Sequence, residues 1–332
     1  MEKIKWGILG TATIAVEQMI PAMLKSELSE LVAIASRSIA KAEKTAKKFK
    51  VPKYFGSYEE LLTDDEIHAV YIPLPNNLHV EWAIKAIQAR KHVLIEKPIA
   101  LSSQQTLVLM NEAKNHPDIK VMEAFMYKFH PQWKKTIELI DAGEIGTLKM
   151  INSSFSFFDD AKESITNSKE FGGGSLMDIG CYSISVSRLL FKSEPKSVLA
   201  SIEYHPAYEI DILATGILEF ENGSSSFFCA TQLDNTQQAQ IFGTKGSIRF
   251  ELPFNPPNDR SSKLWLTKDD IVTEFEFEIC DQYTLQVDAF SAAILENSTI
   301  PLQLNDSVNN MIVLEKLRES HSLGRRVKTQ EE

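Results

Sequence analysis

Short apolar runs alternate with longer stretches of helical periodicity between residues 5 and 122. The apolar runs predict strands at 5–9, 31–35, 69–72, 92–95 and 120–122, and the stretches between them predict helices at 14–24, 39–49, 80–89 and 101–116. In the helix at 39–49, Ala42, Ala46 and Phe49 fall on one face. Such alternation is typical of a parallel sheet covered by helices, so an α/β domain is predicted for residues 1–123.

The alternation ends near residue 123. A helix is predicted at 133–142, an alternating strand at 149–158 and a long amphipathic helix at 176–191. Further strands are predicted at 198–204, 212–220, 224–233, 237–242, 247–250, 264–266 and 272–277, before closing helices at 285–296 and 307–323. Clustered strands indicate an antiparallel sheet, so residues 124–332 are predicted to form an α+β domain with a large, mostly antiparallel, open-faced sheet.

Composition limits the possible functions. The chain has 332 residues, of which 43% are hydrophobic and 24% charged, as in ordinary globular proteins with two domains. Its net charge is -10 and its basic residues are scattered, so no nucleic-acid partner is expected. No stretch approaches about 20 apolar residues, so neither a membrane span nor a secretion signal is predicted. Cys181, Cys229 and Cys280 lack metal-ligand spacing, which predicts free thiols, a cytoplasmic location and no metal site.

The first strand-to-helix turn is a candidate dinucleotide site. Compared with the Rossmann pattern G-x-G-x-x-G/A, Gly10 supplies the tight turn, Ala12 stands at the second glycine and Ala15 allows close packing of the helix. A tight turn without a ligand is the alternative, but its place at the start of a βαβ unit favours a dinucleotide. We therefore predict a Rossmann nucleotide-binding domain whose first turn binds the cofactor through Gly10, Thr11, Ala12, Thr13 and Ile14.

Basic residues follow the second predicted strand. An NAD-selective site usually has Asp or Glu at this point, for the ribose hydroxyls, but here Ser36 and Arg37 are followed by Lys41. A guanidinium and an ammonium favour a ribose 2′-phosphate, which predicts NADP, with NAD still possible. The alternative is a solvated basic patch at the start of a helix, where the helix dipole disfavours cations.

A buried strand ends in Glu96-Lys97-Pro98. Ligands bind at the carboxyl ends of parallel strands, and a lysine held there beside a cofactor can have its proton affinity shifted. A surface pair that precedes a proline explains the same three residues, because patterns this short recur by chance. The remaining motifs decide between the two interpretations.

Several motifs together resemble the Gfo/Idh/MocA family of glucose-fructose oxidoreductase and inositol dehydrogenase. They are the first turn, the segment from Pro75 to His79, Glu96-Lys97-Pro98, and two segments, 122–131 and 172–182, that look like the family's domain junction. The resemblance covers nearly the whole chain. Tyr182 makes it strongest for the branch of glucose-fructose oxidoreductase, dimeric dihydrodiol dehydrogenase and NADP-dependent xylose dehydrogenases, since inositol dehydrogenase usually has histidine there.

The resemblance implies roles for individual residues. Lys97 would contact nicotinamide and substrate, Tyr182 would donate or accept the proton, and Asp178 would be a carboxylate of the substrate site. Pro98 would follow a cis peptide bond. Glu96 would be a ribose or structural contact. The residues that would flank the substrate are Phe125 and Phe157, and the cofactor contacts beyond the first turn would be Ser36, Arg37, Lys41, Leu74, Pro75, Asn76, His79, Glu96 and Lys97.

The chemistry of hydride transfer agrees with these roles. A proton must move on or off the substrate oxygen, and Asp178 and Tyr182, four residues apart on a predicted helix, would project from one face. A neighbouring ammonium such as Lys97 favours the phenolate of a tyrosine whose ordinary pKa is about 10. Two structural explanations compete: Ser175 and Asp178 have the spacing of a capping box, and Tyr182 fits a core aromatic position.

Two histidines and three phenylalanines also allow a structural interpretation. His79 is equally consistent with a polar helix start and with a cofactor neighbour, whereas His130, which precedes a proline, is expected to be a turn residue. Phe155, Phe157 and Phe158 lie on one predicted strand and are expected to line its sheet.

The leading hypothesis is an NADP-dependent oxidoreductase of a carbohydrate-like small molecule, namely a sugar, a polyol or a related secondary alcohol or carbonyl compound. A glycosidase that uses nicotinamide transiently and a non-catalytic NADP sensor are the alternatives. The second sheet is expected to leave one face uncovered, which suggests a homodimer or homotetramer.

Overall fold

A computed structural model describes residues 2–329, which divide into two compact units. One unit comprises residues 2–126 and 281–308, and the other comprises residues 127–280 and 309–329. Residue 1 and residues 330–332, which end the two predicted domains, lie outside the described residues. The division of roles between 1–123 and 124–332 stays a prediction. The compact units differ from these bounds in one respect, since residues 281–308 belong to the first unit.

In the described part of the first unit, six strands form a parallel sheet. Its elements are β1 (Ile4–Leu9), α1 (Ile20–Lys25), β2 (Ser29–Ala35), α2 (Ile39–Phe49), β3 (Lys53–Phe55), α3 (Tyr58–Leu62), β4 (Ala69–Ile72), α4 (His79–Gln88), β5 (His92–Ile95), α5 (Ser103–Asn115) and β6 (Val121–Glu123). The strand order is β3-β2-β1-β4-β5-β6, so the winding reverses between β1 and β4. The predicted Rossmann topology is therefore confirmed, and the reversal marks the usual ligand crevice of such sheets.

Three local features of this unit differ from the prediction. The helix predicted at 14–24 is a π-helical turn, Ala15–Met19, that runs into α1. Both β3 and α3 were missed because they have three and five residues, too few for a periodicity to show. Ser57 did carry a signal for α3, since its Oγ accepts a hydrogen bond from the backbone N–H of Glu60 at 3.1 Å, as a helix N-cap does.

In the described part of the second unit, nine strands form one sheet. The elements that follow β6 in the chain are α6 (Pro131–Asp141), β7 (Leu148–Phe158), α7 (Cys181–Phe191), β8 (Ser197–Tyr204), β9 (Asp211–Glu219), β10 (Ser224–Ala230), β11 (Gln232–Gly243), β12 (Gly246–Phe250), β13 (Ser262–Lys268), β14 (Ile271–Phe277), α8 (Gln282–Leu295), α9 (Leu304–Leu323) and β15 (Val327–Lys328). The order is β14-β13-β12-β11-β7-β10-β9-β8-β15. Strands β7 and β10 run parallel and the other described neighbours run antiparallel, which confirms the mostly antiparallel sheet.

Helices pack on one face of this sheet. On α7, Ser187 lies 2.6 Å from Ser225 of β10 between their hydroxyl oxygens. Side chains of the opposite face reach solvent: Ile217 and Phe242 are each 38% exposed and Phe158 is 64% exposed. The expected uncovered face is therefore present in the chain as described.

Helix α8 packs with the first unit although it follows the large sheet in the chain. The indole N–H of Trp6 donates to Ser291 Oγ at 3.2 Å, and the Trp6 and Phe290 rings lie 5.8 Å apart between centroids. Ser26 also donates to Asp288 at 2.5 Å. Among residues 2–329, no helix has the length and apolar character needed to cross a membrane.

Candidate active site

The turn after β1 requires glycine. Gly10 has φ +128°, its N–H donates to Ala35 O at 2.8 Å, and a Cβ there would lie 3.3 Å from Leu74 Cδ2. Thr11 and Ala12 are half-buried, and the following threonine is exposed. The turn is thus a backbone surface at the carboxyl ends of β1 and β2, and Leu74 borders it from the loop after β4. This open surface, which begins at a glycine, fits the pyrophosphate of a dinucleotide. A bound nicotinamide cofactor would accept or donate hydride.

The loop after β2 and the first turn of α2 present two cations. Arg37 and Lys41 are exposed, whereas Ser36 is buried and its Oγ accepts from the N–H of Ser38 at 3.3 Å. Burial raises the pKa of Tyr58, the first residue of α3, and the positive charge of Arg37 acts in the opposite direction. The loop has no carboxylate for ribose hydroxyls, and its cations suit an additional phosphate.

His79 is buried between the loop after β4 and the loop after β5 and does not lie on the surface of either loop. It is fully buried, with Nδ1 at 2.9 Å from Pro98 O and Nε2 at 2.7 Å from Leu74 O. Burial lowers the pKa of His79 to about 4, so the ring is neutral and donates to one of the two carbonyls at a time. His79 therefore connects the loop after β4 to the loop after β5. This geometry disfavours the predicted direct cofactor contact, because backbone carbonyls occupy both ring nitrogens.

The carboxyl end of β5 holds Glu96 and Lys97 as the motif predicted. Glu96 is 9% exposed and accepts a hydrogen bond from the hydroxyl of Tyr71 at 2.5 Å and one from the backbone N–H of Lys97 at 3.2 Å. Lys97 is half-buried, and the peptide bond to Pro98 is cis, as the resemblance implied. The Glu96 carboxylate therefore stabilises the chain at the end of β5, next to Lys97.

Helix α8 contributes to the same end of the sheet. In the amide orientation that satisfies its hydrogen bonds, Gln286 Oε1 accepts from the N–H groups of Phe125 and Met126, each at 3.2 Å. Burial raises the pKa of Tyr283, and the Glu96 carboxylate raises it further. Sequence analysis missed these two residues because a segment far along the chain brings them to the site. Phe125 itself is 2% exposed.

In the second unit, Asp178 and Tyr182 stand on consecutive turns of one helical segment. The segment begins with a π-helical turn, Leu176–Gly180, and continues as α7. The single regular helix predicted at 176–191 is therefore wrong in its first turn, where the wider winding changes the angle between residues four apart. π-Helical turns occur frequently at functional sites.

A buried aspartate fixes the start of this segment. Asp211 Oδ2 accepts from Ser175 Oγ at 2.9 Å and from the N–H of Leu176 at 2.5 Å. Ser175 makes no side-chain cap bond, so the capping box suggested for Ser175 and Asp178 is wrong. Its role is filled by Asp211 of β9, which is 2% exposed and which no local pattern identifies.

Aromatic side chains surround Tyr182, which is 4% exposed. Its ring centroid lies 5.4 Å from that of Phe254, 5.7 Å from Phe155 and 5.8 Å from Tyr127. Phe157, predicted to flank the substrate, is half-buried two residues beyond Phe155 on β7. The three phenylalanines of β7 line the sheet as expected.

His130 has the structural role that its sequence context favoured. It is the N-cap of α6, and its Nδ1 accepts from the N–H of Gln132 at 3.3 Å. Among the described residues, no group of three His, Cys, Asp or Glu side chains is arranged to bind a metal ion. Cys181 and Cys229 are buried free thiols, and Cys280 is a partly exposed one.

The sequence matches two profiles of one family. Residues 4–125 match the GFO_IDH_MocA oxidoreductase family, which has an NAD-binding Rossmann fold, and residues 133–249 match the GFO/IDH/MocA C-terminal domain. The chain is 40% identical to an uncharacterized oxidoreductase of Rhizobium meliloti, over 98% of each protein. It is 36% identical to a D-xylose 1-dehydrogenase (NADP(+)) of Haloferax volcanii, over 96% of this chain and 98% of that protein.

A solved structure agrees with these matches. The 3-ketoreductase of Actinomadura kijaniata, determined with NADP and TDP-benzene, superposes with a TM-score of 0.90 at 27% identity, over 96% of this chain and 98% of that one. The family predicted from the motifs is confirmed. The chain therefore belongs to the Gfo/Idh/MocA family of NAD(P)-dependent oxidoreductases.

Proposed function

We propose that the protein is an NADP-dependent oxidoreductase that transfers hydride between nicotinamide and a sugar, a polyol or a related secondary alcohol or carbonyl compound. The observation that carries this proposal is the segment from the loop after β2 into the first turn of α2, in which Arg37 and Lys41 are exposed and residues 36–41 include no carboxylate. The NADP-dependent xylose dehydrogenase among the relatives supports the same cofactor and a sugar substrate.

Cofactor contacts are proposed for the residues at the carboxyl ends of β1, β2, β4 and β5. The first turn would hold the pyrophosphate, and the cations after β2 would hold the 2′-phosphate. His79, fully buried between two carbonyls, would orient the loops without touching the cofactor. The contacts themselves would come from Gly10, Thr11, Ala12, Thr13, Ile14, Ser36, Arg37, Lys41, Leu74, Pro75, Asn76, Glu96 and Lys97.

Tyr182 is the proposed acid or base. When an alcohol is oxidised, a bound nicotinamide would accept the hydride of the carbinol carbon, and Tyr182 as phenolate would accept the hydroxyl proton. Lys97 would stabilise the negative charge on either oxygen, and Asp178 would hold a substrate hydroxyl. The aromatic flanks of the substrate would be Phe125 and Phe157.

Substrate choice needs a direct assay, because a few hydrogen bonds distinguish one sugar from another. A panel of aldoses, inositols, diols and nucleotide sugars is assayed with NADP and with NAD by the nicotinamide absorbance. We expect net reduction of NADP with at least one aldose or polyol and weaker use of NAD. Bond cleavage without a net absorbance change would instead establish the glycosidase alternative, and cofactor binding without any turnover would favour the sensor.

A further inference from the structure

Glu123 ends β6 beside the end of β5. The two strands are parallel, and their register places Glu123 opposite Ile95. The N–H of Ala124 donates to Ile95 O at 2.7 Å, which joins the ends of the two strands. Glu123 is 3% exposed, so its carboxyl group is buried in the first unit at the carboxyl end of the sheet. A buried carboxyl group needs hydrogen-bond partners to offset the loss of water.

One partner of Glu123 is the backbone that follows Lys97. The N–H of Ile99 donates to Glu123 Oε1 at 2.9 Å, and Ile99 is fully buried. Because β5 ends at Ile95, this bond is made by the loop after the strand and not by the sheet. Glu123 therefore fixes the chain two residues after Lys97.

The same loop is bound at two further points. The N–H of Lys97 donates to Glu96 Oε2 at 3.2 Å, and Pro98 O lies 2.9 Å from Nδ1 of His79. Residues 97–99 thus each have a backbone polar group within hydrogen-bonding distance of a buried side chain. These side chains come from the end of β5, the start of α4 and the end of β6, so three elements of the first unit together determine the path of the loop.

The position of Lys97 matters because its proposed action is electrostatic. The energy between an ammonium group and a developing negative charge depends on the distance between them, and a displacement of about 1 Å can cost about a hundredfold in rate. The lysine side chain is a flexible four-carbon stem. A fixed backbone therefore removes one of two sources of misplacement, namely movement of the chain that carries the stem.

We propose that Glu123 is a positioning residue for the catalytic step, holding the backbone after Lys97 so that the ammonium group meets the developing charge. This inference rests on the role of Lys97 in the proposed function. Glu123 acts through the N–H of Ile99, so the side chain at this position must supply an oxygen acceptor but need not carry a negative charge.

Two substitutions of similar size separate the acceptor from the rest of the side chain. Glu123→Gln keeps a terminal oxygen, whereas Glu123→Met fills a similar volume without a strong acceptor. Hydrogen exchange of the purified protein without ligands, followed by mass spectrometry, reports the order of the loop directly. Peptides covering residues 97–101 should exchange about tenfold faster in Glu123→Met and at a nearly normal rate in Glu123→Gln.

Lys91→Met is the matched control. Lys91 is also buried, and it donates a bond of the same 2.9 Å length to a backbone group, Asp64 O, at the amino end of β5. The control should lose stability through this missing bond, but residues 97–101 should exchange as in the wild-type protein. Global destabilisation is thereby distinguished from loss of order in the loop.

Turnover of a substrate from the panel tests whether the loop matters for catalysis. Glu123→Met should lower kcat about tenfold or more, while the Kd for NADPH stays within about threefold, because the first turn and the cations after β2 are unchanged. Glu123→Gln should recover most of the loss, and Lys91→Met should show none. In the Lys97→Met background, single-turnover absorbance should show no further loss from Glu123→Met, because the ammonium group is gone.

Three results would each overturn the proposal: unchanged exchange of residues 97–101 in Glu123→Met, a loss of kcat that Glu123→Gln does not recover, or additive losses in the double variant. Absence of wild-type turnover with every substrate would reject the proposed function and the role of Glu123 together. Wild-type turnover that survives intact in Glu123→Met would reject the role of Glu123 alone.

Discussion

Tyr182 is positioned by ring packing, so its hydroxyl can be removed without moving the ring. Phe155 and Phe254 lie 5.7 Å and 5.4 Å from it between centroids, and both contacts survive in phenylalanine. If Tyr182 transfers the proton, Tyr182→Phe should lower kcat about a hundredfold or more, the usual scale of acid-base catalysis. Kd for NADPH should be unchanged. Steady-state kinetics and NADPH titration measure the two quantities.

Tyr127 provides a control within the same aromatic cluster. It is fully buried and donates to Ser185 Oγ at 2.8 Å. Tyr127→Phe removes this bond and should lower stability by about 1 kcal/mol while kcat falls no more than severalfold. A nearly normal kcat in Tyr182→Phe, or an equal loss in both variants, would remove Tyr182 from the proposed chemistry.

Individual side chains were predictable where their surroundings are local. The Glu96-Lys97-Pro98 motif lies on one strand end, and the structure places it at the carboxyl end of β5. Asp211 and Gln286 were not predictable, because each reaches its partner from 35 or more residues away in the chain. No periodicity encodes which distant side chain satisfies a given backbone N–H.

At the level of elements, the start of the π-helical segment depends on a glycine beside Asp211. Gly174 has φ +108°, and a Cβ added there would collide with Asp211 Oδ1. Gly174→Ala should therefore lower the free energy of unfolding by about 3 kcal/mol, combining left-handed strain with loss of the buried cap bonds. The activity should fall as well, because Asp178 follows on this segment. Urea unfolding and kcat measure both effects.

Gly143→Ala is the matched control for backbone strain. Gly143 has φ +74° with nothing within 4 Å of an added Cβ. The control should lose about 1–2 kcal/mol from left-handed strain alone and retain its activity. If the two variants lost equal stability, the space beside Asp211 would not matter.

The cap of α6 should make stability depend on pH. His130 is 1% exposed and burial lowers its pKa to about 4, so in the folded protein Nδ1 stays unprotonated and accepts from Gln132. The unfolded chain binds a proton near the ordinary pKa of about 6.5. The contribution of His130 is therefore complete above about pH 6.5 and is lost as the pH falls towards 4, with a slope of about 1.4 kcal/mol per pH unit.

Replacing His130 with asparagine isolates this effect. Asparagine is a good N-cap but does not titrate, so His130→Asn should keep the helix start and remove about one proton from the uptake on unfolding. Urea unfolding between pH 4.5 and pH 6.5 measures the slope. Since burial also lowers the pKa values of His79 and His92 to about 4, some slope should remain. An unchanged slope would contradict the role of His130.

Element prediction succeeded for regular segments and failed at their irregular turns. Eleven residues of α2 repeat one helical period, and the predicted bounds match the observed helix. The π-helical turns at Ala15–Met19 and Leu176–Gly180 look helical in sequence, because one extra residue per turn hardly changes a pattern of apolar positions.

At the scale of the whole molecule, the path of the chain was the least predictable feature. Residues 281–308 return to the first unit, where α8 packs with Trp6 and Asp281 pairs with Lys25 at 3.1 Å. The apolar periodicity of α8 predicts a helix, but it does not indicate which surface the buried face of that helix packs against. Only the complementary surface of the first sheet and of α1 specifies that partner.

The uncovered face of the large sheet leads to a prediction about assembly. Ile217 lies on this face in register with Ser226, which in turn pairs with Asn152, so a central polar patch is bordered by apolar side chains. We expect the wild-type protein to sediment as a dimer or tetramer at micromolar concentration, because a second copy would bury these side chains. Ile217→Glu should weaken this association about tenfold or more by placing a charge in the interface.

Leu24→Glu is the control for this experiment, since Leu24 is a 53% exposed apolar residue on α1 of the first unit and does not belong to the large sheet. It should leave the sedimentation coefficient unchanged and show that an added surface charge alone does not alter assembly. A monomeric wild-type protein at micromolar concentration would contradict the prediction outright. An oligomer that Ile217→Glu leaves intact would place the interface elsewhere on the molecule.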